Sequence, residues 1–356
     1  MGASDPRRAP PPPARRRAAV YDPVRDRIVV VGGKGVLFQE VWSLSLGDSL
    51  AWSHLSTAGT APPPRHRHTA VYDSRRDRVI VFGGTTERSQ ANDVWALTLA
   101  NPPSWSRLRP EGDVPGGGEG HAAVFDSTAD RMMVLEGTSH RSPEFSDLWA
   151  LELGDEPKWS RLEAVGVAPQ RRAWHSAILD PDRRRVVLFG GVDESESKLH
   201  RVRLWDTWEL SLSETAPEWT EITPVVPPPY ALSSQVSVYD SSAQNAVLFG
   251  GKYSTPQGAR GITNLLWTVS VGGTPSCMQL LPSGSPPAGR AGHSAVLDPI
   301  GGRMIRVRRT ERQTAWGSLD DHAAGARVGS SATRRRLAEP PLGGTWQSMI
   351  RSAGGC

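Results

Sequence analysis

The sequence is poor in cysteine and has no long apolar segment. Its two cysteines, Cys277 and Cys356, argue against a disulfide framework and exclude a metal site built from cysteines. No run of 18 apolar residues occurs, so the sequence predicts no transmembrane helix. The basic start lacks the apolar core of a secretory signal. As written, the sequence therefore predicts a cytoplasmic protein, and an extracellular location stays open if the natural N-terminus lies further upstream.

Most of the chain also lacks an excess of one charge. Residues 1–302 carry 31 basic and 33 acidic residues, whereas residues 303–356 carry ten Arg against two Asp and two Glu. The formal net charge of +4 therefore comes from the C-terminal segment. A near-neutral body does not indicate nucleic-acid binding, which we would expect only through the basic tail.

The chain is rich in turn-forming residues and in internal repeats. Thirty prolines and 36 glycines fit many short strands joined by turns. An anchor residue followed by Asp recurs six times, at intervals of 51, 53, 54, 60 and 58 residues. The anchors are Tyr21, Tyr72, Phe125, Leu179, Tyr239 and Leu297.

Glycine and tryptophan recur at fixed distances from these anchors. Four copies have a glycine pair eleven residues after the anchor: Gly32, Gly33, Gly83, Gly84, Gly190, Gly191, Gly250 and Gly251. The third copy has Glu136-Gly137 there and the sixth has Arg308-Arg309. A tryptophan follows in the first five copies: Trp42, Trp95, Trp149, Trp208 and Trp267. A second one comes ten or eleven residues later, as Trp52, Trp105, Trp159 and Trp219, with Cys277 in the fifth copy.

Each copy divides into four alternating segments, a to d, such as HTAVY, RVIVFGG, DVWALTL and WSRL. Four short antiparallel strands repeated about every 50 residues are typical of propeller blades. A small residue precedes each anchor by two positions, where innermost strands would converge: Ala19, Ala70, Ala123, Ala177, Ser237 and Ala295. The sequence predicts five complete blades, beginning near residues 16, 67, 120, 174 and 234, and an incomplete sixth beginning near residue 292.

These motifs resemble the kelch-repeat family, in the variant similar to the propeller domain of galactose oxidase. The resemblance rests on the glycine pair, the third-strand aromatic residue and the fourth-strand Trp, and it covers about residues 14–305. The chain departs from the family pattern in using Trp rather than Tyr on the third strand and in the wider spacing of the two aromatics. The sixth copy also lacks the glycine pair. The resemblance implies an all-β, kelch-type β-propeller over residues 15–305, after a basic, proline-rich arm at residues 1–14 that we expect to be disordered.

Strand order predicts where a ligand would bind. In an antiparallel blade the b–c loops and d–a linkers share one face, and the longest and most variable segments fall there. Recurring polar residues at the start of strand a are the candidates for this face: Arg65, His68, His121, Arg172, His175, Arg290 and His293. They could form a ring that binds carboxylates, or each could stabilise its own blade. The second interpretation is favoured because these residues repeat with the scaffold.

The sequence favours a binding module for a protein or peptide ligand. The alternative is a small-molecule or acidic-sugar-active enzyme, isomerase-like as in some bacterial kelch propellers, or oxidase-like. Galactose oxidase resemblance implies copper and a Tyr–Cys crosslink, but Cys277 occupies a scaffold Trp position here. No catalytic grouping stands apart from the repeat, and the acidic loop at residues 193–200 lacks metal-site spacing. We therefore expect no catalytic residue, no cofactor and no metal, and we interpret the tryptophans as core between blades.

The sixth copy follows the template only to Ile305. Residues 306–356 then lose the alternation and become a basic, low-complexity segment that we expect to be disordered. One hypothesis is a shift of reading frame near codon 305, which would make this tail an out-of-frame product. The alternative is a genuine basic tail that binds nucleic acid or an acidic partner.

Overall fold

The structure is a computed structural model, and the residues it describes form β-strands without a helix. These residues are 11–12, 16–34, 40–47, 50–135, 137, 148–193, 202–212, 216–224, 230–272, 275–282, 286–307 and 326–327. The all-β prediction is confirmed.

Each of the first three copies contains four strands of five residues, and the second has three additional two-residue strands. The first copy holds β1 (Ala18–Asp22), β2 (Arg27–Val31), β3 (Val41–Ser45) and β4 (Ala51–Leu55). The second holds β5 (Ala58–Gly59), β6 (Arg65–His66), β7 (Thr69–Asp73), β8 (Arg78–Phe82), β9 (Thr85–Thr86), β10 (Val94–Thr98) and β11 (Ser104–Leu108). The third holds β12 (Ala122–Asp126), β13 (Arg131–Leu135), β14 (Leu148–Glu152) and β15 (Lys158–Leu162).

The last three copies contain longer and additional strands. The fourth holds β16 (Val165–Gly166), β17 (Arg172–Ala173), β18 (Ser176–Asp180), β19 (Arg185–Asp193), β20 (Arg203–Ser211) and β21 (Glu218–Glu221). The fifth holds β22 (Ala231–Ser233), β23 (Val236–Asp240), β24 (Asn245–Phe249), β25 (Lys252–Ser254), β26 (Arg260–Ile262), β27 (Leu266–Ser270) and β28 (Ser276–Leu280). The sixth holds β29 (Ser294–Asp298), β30 (Arg303–Val307) and β31 (Ala326–Arg327).

Each of the first five copies forms a blade of four antiparallel strands in sequence order. The pairing orders are β1-β2-β3-β4, β7-β8-β10-β11, β12-β13-β14-β15, β18-β19-β20-β21 and β23-β24-β27-β28. The first strands lie side by side around a central channel, in the ring β1, β7, β12, β18, β23 and β29. The column of small residues from Ala19 to Ala295 lines this channel, as steric crowding at the axis requires.

The core lies between blades rather than within one sheet. Trp149 and Trp159 of the third blade pack against Ile80 and Phe82 of the second, and this pattern recurs at other interfaces. All the repeated tryptophans except Trp52 are buried, and Trp52 is half-buried. Each blade therefore covers the apolar face of the next, which is how a repeat too small to fold alone gains stability.

Aspartates close the a–b hairpins on the face opposite the channel mouth. Asp73 is fully buried, and its Oδ1 accepts hydrogen bonds from the backbone N of Arg75 and Arg76 at 3.1 and 3.2 Å. Its Oδ2 accepts one from Nε of Arg78 at 2.8 Å. A short side chain that hydrogen-bonds the backbone two and three residues on explains why Asp follows every anchor.

The hairpin of the sixth copy closes the ring between the fifth and first blades. Strand β29 lies beside both β23 and β1. Val307 pairs with Ser294 as Val31 pairs with Ala18 in the first blade, so β30 continues two residues past Ile305. The short strand β31 pairs with the opposite end of β30.

Side chains of this hairpin make the contacts of a normal blade. Ile305 and Val307 pack against Trp42 of the first blade, and Met304 packs against Phe249 of the fifth. Arg303 donates a hydrogen bond to the carbonyl of Leu46 at 3.2 Å, as Arg78 does to Leu153 at 3.3 Å. The hairpin is therefore part of the propeller. The rest of residues 308–356, and residues 1–10, lie outside the described residues, so the predictions of a disordered arm and tail stay predictions.

Candidate functional site

A cavity of about 710 Å³ opens where the six innermost strands begin. Its lining comes from the starts of these strands, from the d–a linkers before them, and from the raised hairpins of the fourth and fifth blades. The mouth of the channel therefore lies on the face that carries the b–c loops and d–a linkers.

Arg65 and Arg172 are buried in ion pairs inside their own blades. Nη1 and Nη2 of Arg65 donate to Oδ1 and Oδ2 of Asp93 at 2.6 and 2.9 Å, and Nη1 also donates to the carbonyl of Gly83 at 3.1 Å. Arg172 makes the same bidentate pair with Asp206 at 2.6 and 2.8 Å. Because their donors are engaged, both arginines fasten a d–a linker to the end of a blade.

The aspartates of these pairs belong to the repeated third-strand motif. Asp93 also accepts a hydrogen bond from the indole Nε1 of Trp95 at 2.7 Å. Burial alone would raise the pKa of Asp93, but the hydrogen bonds from Arg65 and Trp95 lower it overall. The Asp93 carboxylate therefore stays charged. It connects the d–a linker, through Arg65, to the third strand and its buried tryptophan.

Arg290 and His293 occupy the same positions in the sixth hairpin. Nε of Arg290 donates to the carbonyl of Ala288 at 2.9 Å, and the Arg290 carbonyl accepts from the N of Gly251 at 2.7 Å. The His293 ring stands edge-on to Phe249, with 5.3 Å between ring centroids. A third-strand aspartate for Arg290 would lie beyond Val307, outside the described residues.

The histidine side chains pack between neighbouring blades. A Cβ added at Gly32 of the first blade would lie 2.6 Å from Cε1 of His68, and one added at Gly84 would lie 2.8 Å from its Cβ. Gln235 takes this position in the fifth blade and donates to the carbonyl of Phe189 at 2.9 Å. The repeated glycine pairs leave room for this side chain, and their positive φ angles favour glycine as well.

Burial keeps three of these histidines neutral. It lowers the pKa of His121 to about 4. It lowers the pKa of His68 to about 3, with a further contribution from the charge of Arg65. The same two causes, burial and then the charge of Arg172, lower the pKa of His175 to about 3. At neutral pH the three rings therefore add no positive charge to the channel.

A second column of residues at the mouth repeats in backbone conformation but not in residue type. The residue just before each His position has a positive φ in all six copies, between 56° and 78°: Arg16, Arg67, Gly120, Trp174, Ser234 and Gly292. All six line the cavity. Backbone hydrogen bonds of 2.7 to 3.3 Å join several of them around the channel, as from the N of Ser234 to the carbonyl of Trp174. Bulky residues are strained in this conformation, and such strain clusters at functional sites.

Three side chains of this column meet over the channel. The guanidinium carbons of Arg67 and Arg16 lie 5.0 and 5.8 Å from the ring centroid of Trp174, within cation–π distance. Glu119 bonds Nη1 of Arg67 and accepts a second hydrogen bond from Oγ1 of Thr85 at 2.8 Å. The mouth thus presents an aromatic surface under two cations.

The fourth and fifth blades raise a wall beside the mouth. Strands β19 and β20 have nine residues each, against five in the equivalent β13 and β14, so the paired strands of the fourth blade are about 13 Å longer. The register shifts where Trp205 and Asp206 face Gly190, and such a bulge re-aims side chains. Trp205 is 48% exposed.

Cations and apolar groups share this wall. Nε of Arg203 donates to Oγ of Ser233 at 3.2 Å, and Lys252 and Ile262 form a cross-strand pair in the adjoining sheet. Burial lowers the pKa of Arg203, and the positive charge of Arg260 lowers it further. Ile262 is 46% exposed.

The sequence did not indicate the residues that meet at the mouth. Arg16 and Trp174 are far apart in the sequence and meet only because the ring closes. One feature of the sequence could have indicated them. The residue before each repeated histidine position varies in type, although its neighbours follow the repeat. The wall, by contrast, coincides with the two long b–c segments.

The described residues contain no cluster of three potential metal ligands and no helix long and apolar enough to span a membrane. Burial raises the pKa of the half-buried Cys277 thiol to about 11, so this cysteine is a poor nucleophile.

Comparisons with known proteins agree with the fold. Residues 3–156 and 125–307 match the family described as the KLHDC2/KLHL20/DRC7 Kelch-repeats domain. The second match ends at the last residue of β30. A solved structure described as "Structure of YjhT" superposes with a TM-score of 0.61 over 84% of this chain and 91% of that chain, at 15% identity.

Two relatives come from a plant and an alga rather than from bacteria. Adagio-like protein 1 of Oryza sativa subsp. japonica is 30% identical over 287 residues, which is 77% of this chain and 42% of that protein. Dynein regulatory complex subunit 7 of Chlamydomonas reinhardtii is 40% identical over 81 residues, 22% of this chain and 7% of that protein. The chain thus spans less than half the length of either relative. A likeness to galactose oxidase stays a prediction, and the family match and the fold together show that this chain belongs to the kelch-repeat family, as an all-β kelch propeller.

Proposed function

We propose that this chain is a protein-binding module that takes a segment of a partner protein on its mouth face. The observation that carries the proposal is the wall of the fourth and fifth blades, which presents an exposed tryptophan beside the channel. Trp205 is exposed and lies two residues from Arg203 on β20, and Trp and Arg are the residue types enriched in interface hot spots. The a–b turns on the opposite face are short and are held by buried aspartates. Their sequence and length can therefore vary less than those of the b–c loops.

The relatives support a binding role. Dynein regulatory complex subunit 7 is, by its name, part of a multiprotein complex. The predicted arginine ring could have served a binding module or an enzyme, and neither function draws on Arg65 or Arg172, because both are engaged in ion pairs with Asp93 and Asp206. A binding module needs no catalytic grouping.

A displayed library of random peptides tests the proposal. We expect Trp205→Ala to weaken the selected peptides by about tenfold or more, as removal of a hot-spot residue does. Val24→Ala is the matched control, since Val24 is an exposed apolar residue, 66% accessible, on the opposite face. Affinities would be measured by isothermal titration calorimetry. Failure to select any peptide, or equal loss in both variants, would refute docking of a peptide on the mouth face.

A further inference from the structure

The mouth cavity has an uneven distribution of charge. The lining residues that the structure describes include one carboxylate, Glu119, and five cations, Arg16, Arg17, Arg67, Arg203 and Lys252. Burial keeps His68, His121 and His175, which lie deeper in the channel, neutral. An anion would therefore be attracted into this cavity, and low-dielectric walls strengthen that attraction.

The single carboxylate already lies on one of these cations. Glu119 is only 8% exposed, and it reaches Arg67 from the linker that precedes the third blade. The other copies have no carboxylate at this position: where the structure describes it, they carry His66, Ala173, Ser233 and Ala291. Glu119 is therefore not part of the repeated scaffold.

The guanidinium of Arg67 is held in place but not fully bonded. Its Nε is buried and has no hydrogen-bond partner among the described residues. Its Cζ lies over the ring of Trp174, as does that of Arg16. A carboxylate that took the place of Glu119 could bond Nη1 of Arg67 while it also approached Arg16, and charge-assisted hydrogen bonds of this kind are the strong ones.

The geometry points to a pocket for one acidic side chain of the docked segment, with Glu119 occupying Arg67 until that side chain arrives. This inference rests on the proposed function for the source of the acid. The chain's own glutamate shows that a carboxylate fits the position. Two carboxylates within about 4–6 Å repel each other, so the incoming Asp or Glu must displace Glu119 from Arg67. The apparent affinity for the acid is then the intrinsic affinity multiplied by the fraction of molecules in which Glu119 does not occupy Arg67.

The proposal predicts an unusual gain of affinity. If Glu119 engages Arg67 in most free molecules, Glu119→Gln should tighten binding of an acidic ligand about fivefold to tenfold. Arg67→Ala should weaken it by tenfold or more. Glu87→Gln is the matched control, because Glu87 is an exposed carboxylate in the b–c loop of the second blade and does not line this cavity. It removes the same charge from the same face and should change affinity less than twofold.

The probe is N-acetylglutamate amide, with N-acetylglutamine amide as its neutral counterpart. Binding would be followed by the NMR signal of the Trp174 indole N–H, identified through its loss in Trp174→Phe. We expect the Glu probe to shift this signal and the Gln probe to leave it unchanged, with circular dichroism confirming that each variant is folded.

The outcomes separate this inference from the proposed function. Weaker binding in Glu119→Gln would mean that Glu119 positions Arg67, and it would overturn the displacement. Equal shifts with both probes would refute a site for an acid. If library peptides bind through Trp205 while Arg67→Ala has no effect, the pocket is wrong and the protein-binding role stands. If the Glu probe binds as expected but no peptide is selected, the pocket stands and the protein-binding role fails.

Discussion

Replacing Trp159 by alanine is expected to lower the free energy of unfolding by about 3–5 kcal/mol, the usual cost of truncating a buried large aromatic. Trp159 is 1% exposed and lies between the second and third blades. Its ring centroid is 5.0 Å from that of Phe82 and 6.4 Å from that of Trp149. The cavity left by its removal would separate two blades, and neither could collapse into it without breaking the ring.

Urea denaturation followed by circular dichroism would measure this loss. Trp205→Ala is the matched control, since it removes the same side chain from an exposed position on β20 and should cost less than about 1 kcal/mol. The same control shows that Trp205 can be replaced in the binding experiment without unfolding the protein. Comparable losses in the two variants would contradict an interblade role for Trp159.

The propeller could be predicted from the sequence because its physical constraints repeat. Every blade must bury one face against the next, turn sharply after the anchor and narrow at the axis. Each requirement selects a residue type at a fixed spacing, namely tryptophan, aspartate and a small residue. A position such as Ala70 can therefore be assigned to the channel without knowledge of its neighbours.

The mouth could not be predicted in the same way. The contact between Arg67 and Glu119 depends on ring geometry that no local pattern encodes. The exposed position of Trp205 depends on a bulge, which alternation of residue types does not reveal. The arginines that the sequence singled out, Arg65 and Arg172, recur because the scaffold needs them, and their aspartate partners lie 28 and 34 residues away.

The sixth copy shows how far a pattern can be followed. The sequence indicated that the template fails after Ile305, yet Val307 still fills the position that Val31 holds in the first blade. The reading-frame hypothesis stays a prediction, now with its boundary after residue 307. Translating the other two frames downstream of that codon tests it: a glycine pair, a D-x-W segment and a W-x-x-L segment at the repeat spacing would support a shift, and their absence from both frames would exclude it.

Acid is expected to destabilise the propeller well above the pH at which its carboxylates protonate. His68, His121 and His175 have folded-state pKa values of about 3, 4 and 3 because they are buried between blades. An unfolded histidine has a pKa of about 6.5. Below that pH the unfolded chain binds protons that the folded protein cannot accept without charging a buried ring.

The sign and the window follow from this difference. Stability rises with pH wherever the unfolded state binds more protons, so the histidine contribution is complete above about pH 6.5 and is lost as pH falls toward the folded pKa values. In that window each histidine lowers the free energy of unfolding by about 1.4 kcal/mol for every unit by which the pH falls. Between pH 7.5 and pH 5.5 the three together should remove about 4 kcal/mol of unfolding free energy. Four carboxylates with lowered pKa act in the same direction but only below about pH 4.5: Asp77, Asp93, Asp130 and Asp180.

The chain itself supplies the substitution that tests this account. Gln235 fills the histidine position in the fifth blade, where it is buried and hydrogen-bonded to the carbonyl of Phe189, so a glutamine fits between blades without a titrating group. His121→Gln should therefore stay folded and should reduce the loss between pH 7.5 and 5.5 by about 1.4 kcal/mol, a third of the total. His54→Gln, at an exposed position on β4, should leave the loss unchanged. Urea denaturation of the three proteins at both pH values measures the difference. A pH dependence in His121→Gln equal to that of the parent would mean that this ring is protonated in the folded protein and that the blades open enough to hydrate it.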